Sequence, residues 1–403
     1  MKRLLIEIWE FFSGMLKVMF KGSRWFYLWM CLLTLIVLVG FAAYALQMKQ
    51  GMEITNMREQ VSWGLYISNF TFLVGVAAAA VLLIIPAYIY HFKAIKKIVV
   101  FGELLAITAV LMAMLFVLVD IGRPERLWHI LPLLGSPNLP RSILAWDFIV
   151  LNGYLLLNIF AVLYIGCTRY YGKEPDRKII VPLVMISIPW AVAVHTVTAF
   201  VYNGMGARAF WNASILAPRF LASAFSSGPA LMLLIFQVLR RVMKFEIQDR
   251  AIFKIAEIIA YAMGINLFLM LAEIYKEYYT AAQHLTPMKY LYFGLDGHKR
   301  LVPWIWTSIF LNTTGFFIFL IPRTRKNFIT LNIGCIMIFT GVWIEKGMGL
   351  ILPGFIPDAL GEIYEYMPSV YEIIISLGIL AFGGILYTLF IRTAIAIDTG
   401  RLR

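Results

Sequence analysis

Charge is scarce in these 403 residues: Asp, Glu, Lys and Arg together make up 14% of the chain, where soluble domains carry about 25%. Hydrophobic residues make up 61%. A soluble fold of this length would lack the polar residues to cover its outside, so lipid must cover much of it. Cysteine is also scarce. Cys31, Cys167 and Cys335 stand alone in or beside apolar segments, and no CxxC, CxxCH or Cys/His zinc spacing occurs. That excludes an iron–sulfur cluster or c-type haem held by this chain and leaves three packed thiols. Of five histidines, His195 alone lies well inside an apolar run, whereas His91, His129, His284 and His298 sit at run ends or in loops. A b-type haem needs facing imidazoles within helices, so that class is disfavoured. Residues 1–24 are broken by charge and the first long apolar run shows no small-residue cleavage site, so no cleaved signal peptide is expected.

What the chain does have is ten apolar segments of spanning length: 26–47, 63–90, 99–120, 144–167, 179–201, 217–240, 251–275, 301–322, 327–349 and 367–393. A span needs roughly 20 apolar residues, and with no water in the bilayer core each must be helical to satisfy its own backbone. The expected fold is therefore an all-α integral membrane protein. The net charge of +13 does not signal nucleic acid, because Lys and Arg fall in short clusters between the apolar runs. Of 35 basic residues, 23 lie in one set of alternate loops and the two tails, and ten in the other set; Lys276 and Lys346 lie at helix ends. The positive-inside rule then places the protein in the cell membrane with both termini cytoplasmic. Residues 1–25 read as a basic amphipathic segment at the inner membrane surface, an anchor or partner contact.

The cytoplasmic connections are short and basic, whereas 121–143, 202–216, 276–300 and 350–366 are longer and rich in Pro, Gly and aromatics. Such loops are where partner docking and ligand sites concentrate. A weak repeat suggests two related four-helix bundles, 63–201 and 217–349, with helix 1 (26–47) and helix 10 plus tail (367–403) added. Trp146-x-x-Ile149-x-Leu151-Asn152 recurs as Trp306-x-x-Ile309-x-Leu311-Asn312; Asp120 has a counterpart in Glu273, and Gly75 in Gly228.

Ionisable residues inside or at the edge of a span are costly and point to function. The densest group is Asp120-Ile-Gly-Arg123-Pro-Glu125-Arg126-Leu-Trp128-His129, followed by Ser142 and Trp146-Asp147. A histidine and a carboxylate at the water–lipid boundary suit the two carbonyls and two protons of a quinone, since imidazole titrates near neutrality. An equally good reading is that Arg123 and Arg126 pair Asp120 and Glu125 and only tie down a loop. Here the sequence resembles a known family. Asp120 to Trp128, Trp146-Asp147, Trp63-Gly64, His195-Thr196 and the stretch from Trp211 to Gly228 resemble the NrfD/PsrC family of quinone-interacting membrane subunits, over roughly residues 60–350. Ten spans point to its larger branch, which holds DsrP, QrcD, HmcC and the paired subunits of alternative complex III, and within it to the DsrP type.

The resemblance implies a subunit that is non-catalytic alone, has no redox cofactor of its own, and exchanges electrons between menaquinone (or another quinone) and a partner. Implied partners are a periplasm-facing iron–sulfur subunit, a multihaem cytochrome c, and further membrane and cytoplasmic redox subunits acting in sulfur metabolism. The quinone site maps onto His129 and Asp147, with Asn69, Tyr66 and Arg123 as weaker candidates. Thr307 stands where the repeat would put Asp147, so one site is expected. A proton path would use His195, Glu103, Asp120, Glu257, Glu273 and Glu345. The bland alternatives are pairing of Glu257 with Lys254 and of Glu345 with adjacent Lys346, and a satisfied interhelical bond for His195. A secondary transporter with buried carboxylates is the competing class, although its repeats are typically inverted or flanked by broken midplane helices.

Overall fold

The computed structural model describes residues 9, 13–90, 92–131, 134–281 and 285–401. His91, His284 and most of the N-terminal basic segment lie outside the described residues; within that segment, 13–20 are helical. Among the described residues there are ten helices long and apolar enough to cross a membrane, and no named strand. They are α1 (Arg24–Gln50), α2 (Leu65–Ile89), α3 (Val99–Asp120), α4 (Ile143–Tyr170), α5 (Arg177–Asn203), α6 (Leu216–Val242), α7 (Asp249–Thr280), α8 (Val302–Leu320), α9 (Phe328–Lys346) and α10 (Val370–Asp398). The boundaries read from sequence fall within a few residues of these. The main departure is past α9, where the expected loop 350–366 begins with buried helical turns, Met348–Ile351 and Leu352–Phe355.

Polar side chains start several of the helices by accepting otherwise orphaned backbone N–H groups. Ser142 accepts from Ala145 at 3.2 Å, Asp176 from Lys178 at 2.9 Å, and Ser369 shares a reciprocal capping box with Glu372. Pro86 falls where α2 ends in a π-turn, Ile85–Ile89; proline has no N–H to give the α-ladder there.

One end of the bundle carries the basic connections and the start of α1; the opposite, long-loop end carries 121–142, 204–215, 281–301 and 356–369. Neighbours pack as α2–α3–α4–α5 and as α6–α7–α8–α9, with α6 closing back on α9. The two groups meet where α2 packs against α6 and α9 and where α5 packs against α6. The two glycines that the suggested repeat pairs, Gly75 and Gly228, both lie in this joint. A Cβ at Gly75 would face Ala224 of α6 at 3.6 Å, and one at Gly228 would face Ala79 of α2 at 3.0 Å, so each half presents its equivalent glycine to the other. α2 and α3 are mostly buried. α1 is largely exposed to lipid and leans on α10, where Gly40 and Gly378 bring the two backbones into contact.

Candidate functional site

Three residues on one face of α5, His195, Thr198 and Tyr202, project into the first four-helix group at helical spacing i, i+3, i+7. Each is fully buried. The Thr198 hydroxyl donates to Asp147 Oδ1 of α4 at 2.6 Å, and Tyr202 shares a short hydrogen bond with Thr71 of α2. Asp147, only 3% exposed, thus lies inside the protein about one turn from the start of α4. His195 Nδ1 bonds the Ala191 carbonyl at 2.7 Å, while Nε2 has no well-formed partner among the described residues.

Above these groups, at the long-loop end, Trp63 packs against Tyr202, Trp211 and Phe355 with ring centroids 5.6–5.9 Å apart. Trp211 donates its indole N–H to the Leu350 carbonyl at 2.9 Å. Tyr202, bonded to Thr71, is itself part of this aromatic layer. Trp63-Gly64 opens α2 beneath Tyr366, whose ring leaves no room for a Cβ at position 64. The Tyr366 hydroxyl accepts from Leu65 N at 3.0 Å and donates to buried Glu372. Burial, with the Glu372 carboxylate beside it, pushes the Tyr366 phenol above its ordinary range, so it stays a donor.

Tyr66 donates to Gln47 Oε1 at 2.8 Å, and Gln47 Nε2 donates to the Val119 carbonyl at 2.7 Å, tying α1, α2 and α3 together beside Asp120. Asp120 Oδ1 is buried with no hydrogen-bond partner among the described residues. The loop-tether alternative is therefore only half met: Arg123 reaches Glu125 at 3.8 Å, and neither Arg123 nor Arg126 pairs with Asp120. His129 lies on the short helix Pro124–Ile130, exposed, stacked on Trp128 with centroids 3.8 Å apart. His129 and Asp147 share no hydrogen bond. Asn69 accepts from Trp343 of α9 at 2.9 Å and so belongs to the joint between the two halves.

The second half holds a denser polar group. Glu345 accepts from Arg219 at 2.7 Å and from Asn312 at 2.8 Å, with Asn266 at 3.3 Å; Arg219 also pairs with Glu273. This corrects the expected Glu345–Lys346 pairing. Lys346 instead donates to the Phe220 carbonyl at 2.8 Å and lies 4.3 Å from the centre of that residue's ring, beside Gly75 and within electrostatic reach of His195. The reason is geometric: successive residues on a helix point about 100° apart, so neighbours in sequence do not face each other. Arg219 is likewise a half-buried helix residue rather than a loop cation. Glu257 pairs with Lys254 at 3.2 Å near the basic end, as the bland alternative had it. Glu103, buried in α3 towards the basic end, has an unpartnered Oε2 among the described residues. Thr307 is exposed and bonds its own helix at Pro303.

Sequence reasoning missed Thr198, Tyr202, Gln47, Glu372, Arg219 and Lys346. Arg219 and Lys346 carried a signal, since each is a charge inside an apolar run. The hydroxyls and the amide carried none, because Thr, Tyr and Gln are unremarkable in such runs. No group of three or more His, Cys, Asp or Glu positioned for a metal is present among the described residues.

A family model described as "Polysulphide reductase, NrfD" matches residues 53–356. A candidate membrane subunit of a dimethyl sulfoxide reductase from Halobacterium salinarum is 25% identical over 397 residues, covering 89% of this chain and 88% of its own. A selenate reductase subunit of Mesobacillus selenatarsenatis is 23% identical, covering 91% and 93%. The Hdr-like menaquinol oxidoreductase integral membrane subunit of Archaeoglobus fulgidus is 24% identical, covering 89% and 90%. With α2 to α9 inside the matched region, this chain belongs to the NrfD family of membrane proteins.

Proposed function

We propose that the chain is the quinone-exchanging membrane subunit of a multi-subunit redox complex. Menaquinol, or another quinol, docks at the long-loop end of α2–α5. It gives two electrons to an iron–sulfur or cytochrome c subunit seated on that face and two protons to groups of this chain. The reading rests on one observation above all: a buried carboxylate, Asp147, held by a hydroxyl at the end of the bundle where the long loops gather. In this reading the Asp147 carboxylate is the general base that takes a proton from the bound quinol. In this reading His129, exposed on the loop between α3 and α4, passes a proton to water. Tyr66, Asn69 and Arg123 flank this region as supporting residues. The Archaeoglobus fulgidus relative, described as part of a menaquinol oxidoreductase, supports menaquinol as the donor.

The partners follow from the same reading: an extracytoplasmic iron–sulfur protein, a multihaem cytochrome c, and a cytoplasmic module. The DsrP-type likeness favours a sulfur compound as the module's substrate. His195, Glu103, Asp120, Glu257, Glu273 and Glu345 are the candidates for proton movement coupled to this exchange.

The test uses the purified intact complex and a menaquinol analogue. Asp147→Asn or His129→Ala lowers quinol oxidation at least tenfold while every subunit stays assembled. Wild-type turnover in both variants would refute the site.

A further inference from the structure

An apolar recess lies at the basic end, away from Asp147. It lies between α3, α4 and α10, is roofed by Met15 and Met19 of the N-terminal helix, and encloses about 300 Å³. Val100, Leu104, Ile107 and Leu111 line one wall as a single face of α3. At 1.5 Å of rise per residue that face runs about 16 Å along the membrane normal. Ile159 to Gly166 of α4 and Phe390 to Ile397 of α10 complete the walls.

The chemistry is graded along this length. The charged lining residues, Lys97, Arg169 and Asp398, stand together at the basic mouth, and the rest of the lining is apolar apart from Thr393. Arg169 and Asp398 pair at 3.1 Å. Lys97 is exposed and has no ion-pair partner among the described residues, so the mouth carries a net positive charge. The roof is fixed rather than loose: Arg392 of α10 bonds the carbonyls of Val18 and Lys21 and stacks 3.9 Å over the Phe26 ring.

We infer that this recess is a binding site for one anionic phospholipid, its acyl chain along the α3 face and its phosphate at Lys97. Charge complementarity selects the ligand. A neutral isoprenoid tail would fill the apolar length but leave Lys97 unanswered, whereas a phosphodiester answers it at the depth where head groups lie. A lipid held there would join the N-terminal helix to α3, α4 and α10.

The intact complex, extracted in mild detergent, is analysed by native mass spectrometry after exchange into nanodiscs of phosphatidylglycerol or of phosphatidylcholine with the same acyl chains. The wild type retains one phosphatidylglycerol per chain and at least fivefold less phosphatidylcholine. Lys97→Gln, on the surface, abolishes that preference while leaving subunit assembly intact. Gly166→Leu excludes both lipids, because a Cβ there meets only Ile397 Cδ1 at 3.8 Å and the longer side chain grows into the recess. Equal retention of both lipids by the wild type, menaquinone in their place, or unchanged retention in Gly166→Leu would overturn the assignment.

Discussion

Among the described residues the Thr198 hydroxyl is the donor that reaches Asp147, and both lie where water does not. Removing it leaves a buried carboxylate with no partner, a change of about 1–3 kcal/mol. Thr198→Val is therefore expected to slow quinol oxidation roughly tenfold, the factor that 1.4 kcal/mol represents, while Thr198→Ser stays near wild type. Steady-state rates with a menaquinol analogue decide the matter, and equal rates in all three would separate Asp147 from catalysis. Arg219 poses the opposite problem, since it answers two buried acids at once. Arg219→Met strands Glu273 and Glu345 and should lower stability by about 3–5 kcal/mol, seen as a fall in the melting temperature of the purified complex. Adding Glu273→Gln and Glu345→Gln to the same chain should recover much of that loss. A triple variant no better than the single one would show that the arginine acts through packing alone.

At the scale of the helices, the α1–α10 contact depends on two small residues. A Cβ at Gly40 would lie 2.7 Å from the Gly378 Cα, backbone against backbone, where neither can yield. Gly40→Val should cost about 1–3 kcal/mol through overpacking and loosen α1. By contrast a Cβ at Gly384 meets the flexible tip of Leu33 at 3.3 Å, so Gly384→Ala should be nearly silent. Thermal melting of the two variants side by side provides the comparison. The ten spans were legible in sequence because lipid enforces length and helicity on every apolar run. The site was legible only as far as its charges. Asp147 and Glu345 stood out, but their partners Thr198 and Asn312 sit on the next or preceding helix, and nothing in a linear pattern announces which faces of two helices meet. Lys346 shows the limit most clearly: sequence adjacency suggested Glu345, and the helix turns it towards Phe220 instead.

For the molecule as a whole, ten spans bring the first and last described helices to the same, basic face, and the orientation proposed from the positive-inside rule puts that face in the cytoplasm. A C-terminal green fluorescent protein fusion should fluoresce and a C-terminal alkaline phosphatase fusion should stay inactive; the reverse pattern would invert the orientation and move the quinone site to the other side of the membrane. The proton coupling proposed above belongs to this scale too. In their ionised forms Arg219 and Lys346 carry two positive charges and Glu273 and Glu345 two negative ones, so the group as a whole has no net monopole within the bilayer. A resting membrane voltage, worth about 2.3 kcal/mol per elementary charge at 100 mV, therefore acts on the ionised set only through the different depths of its charges. Gain or loss of a single proton there would break the cancellation and register as displacement current, which makes the tetrad an electrical reporter of its own chemistry.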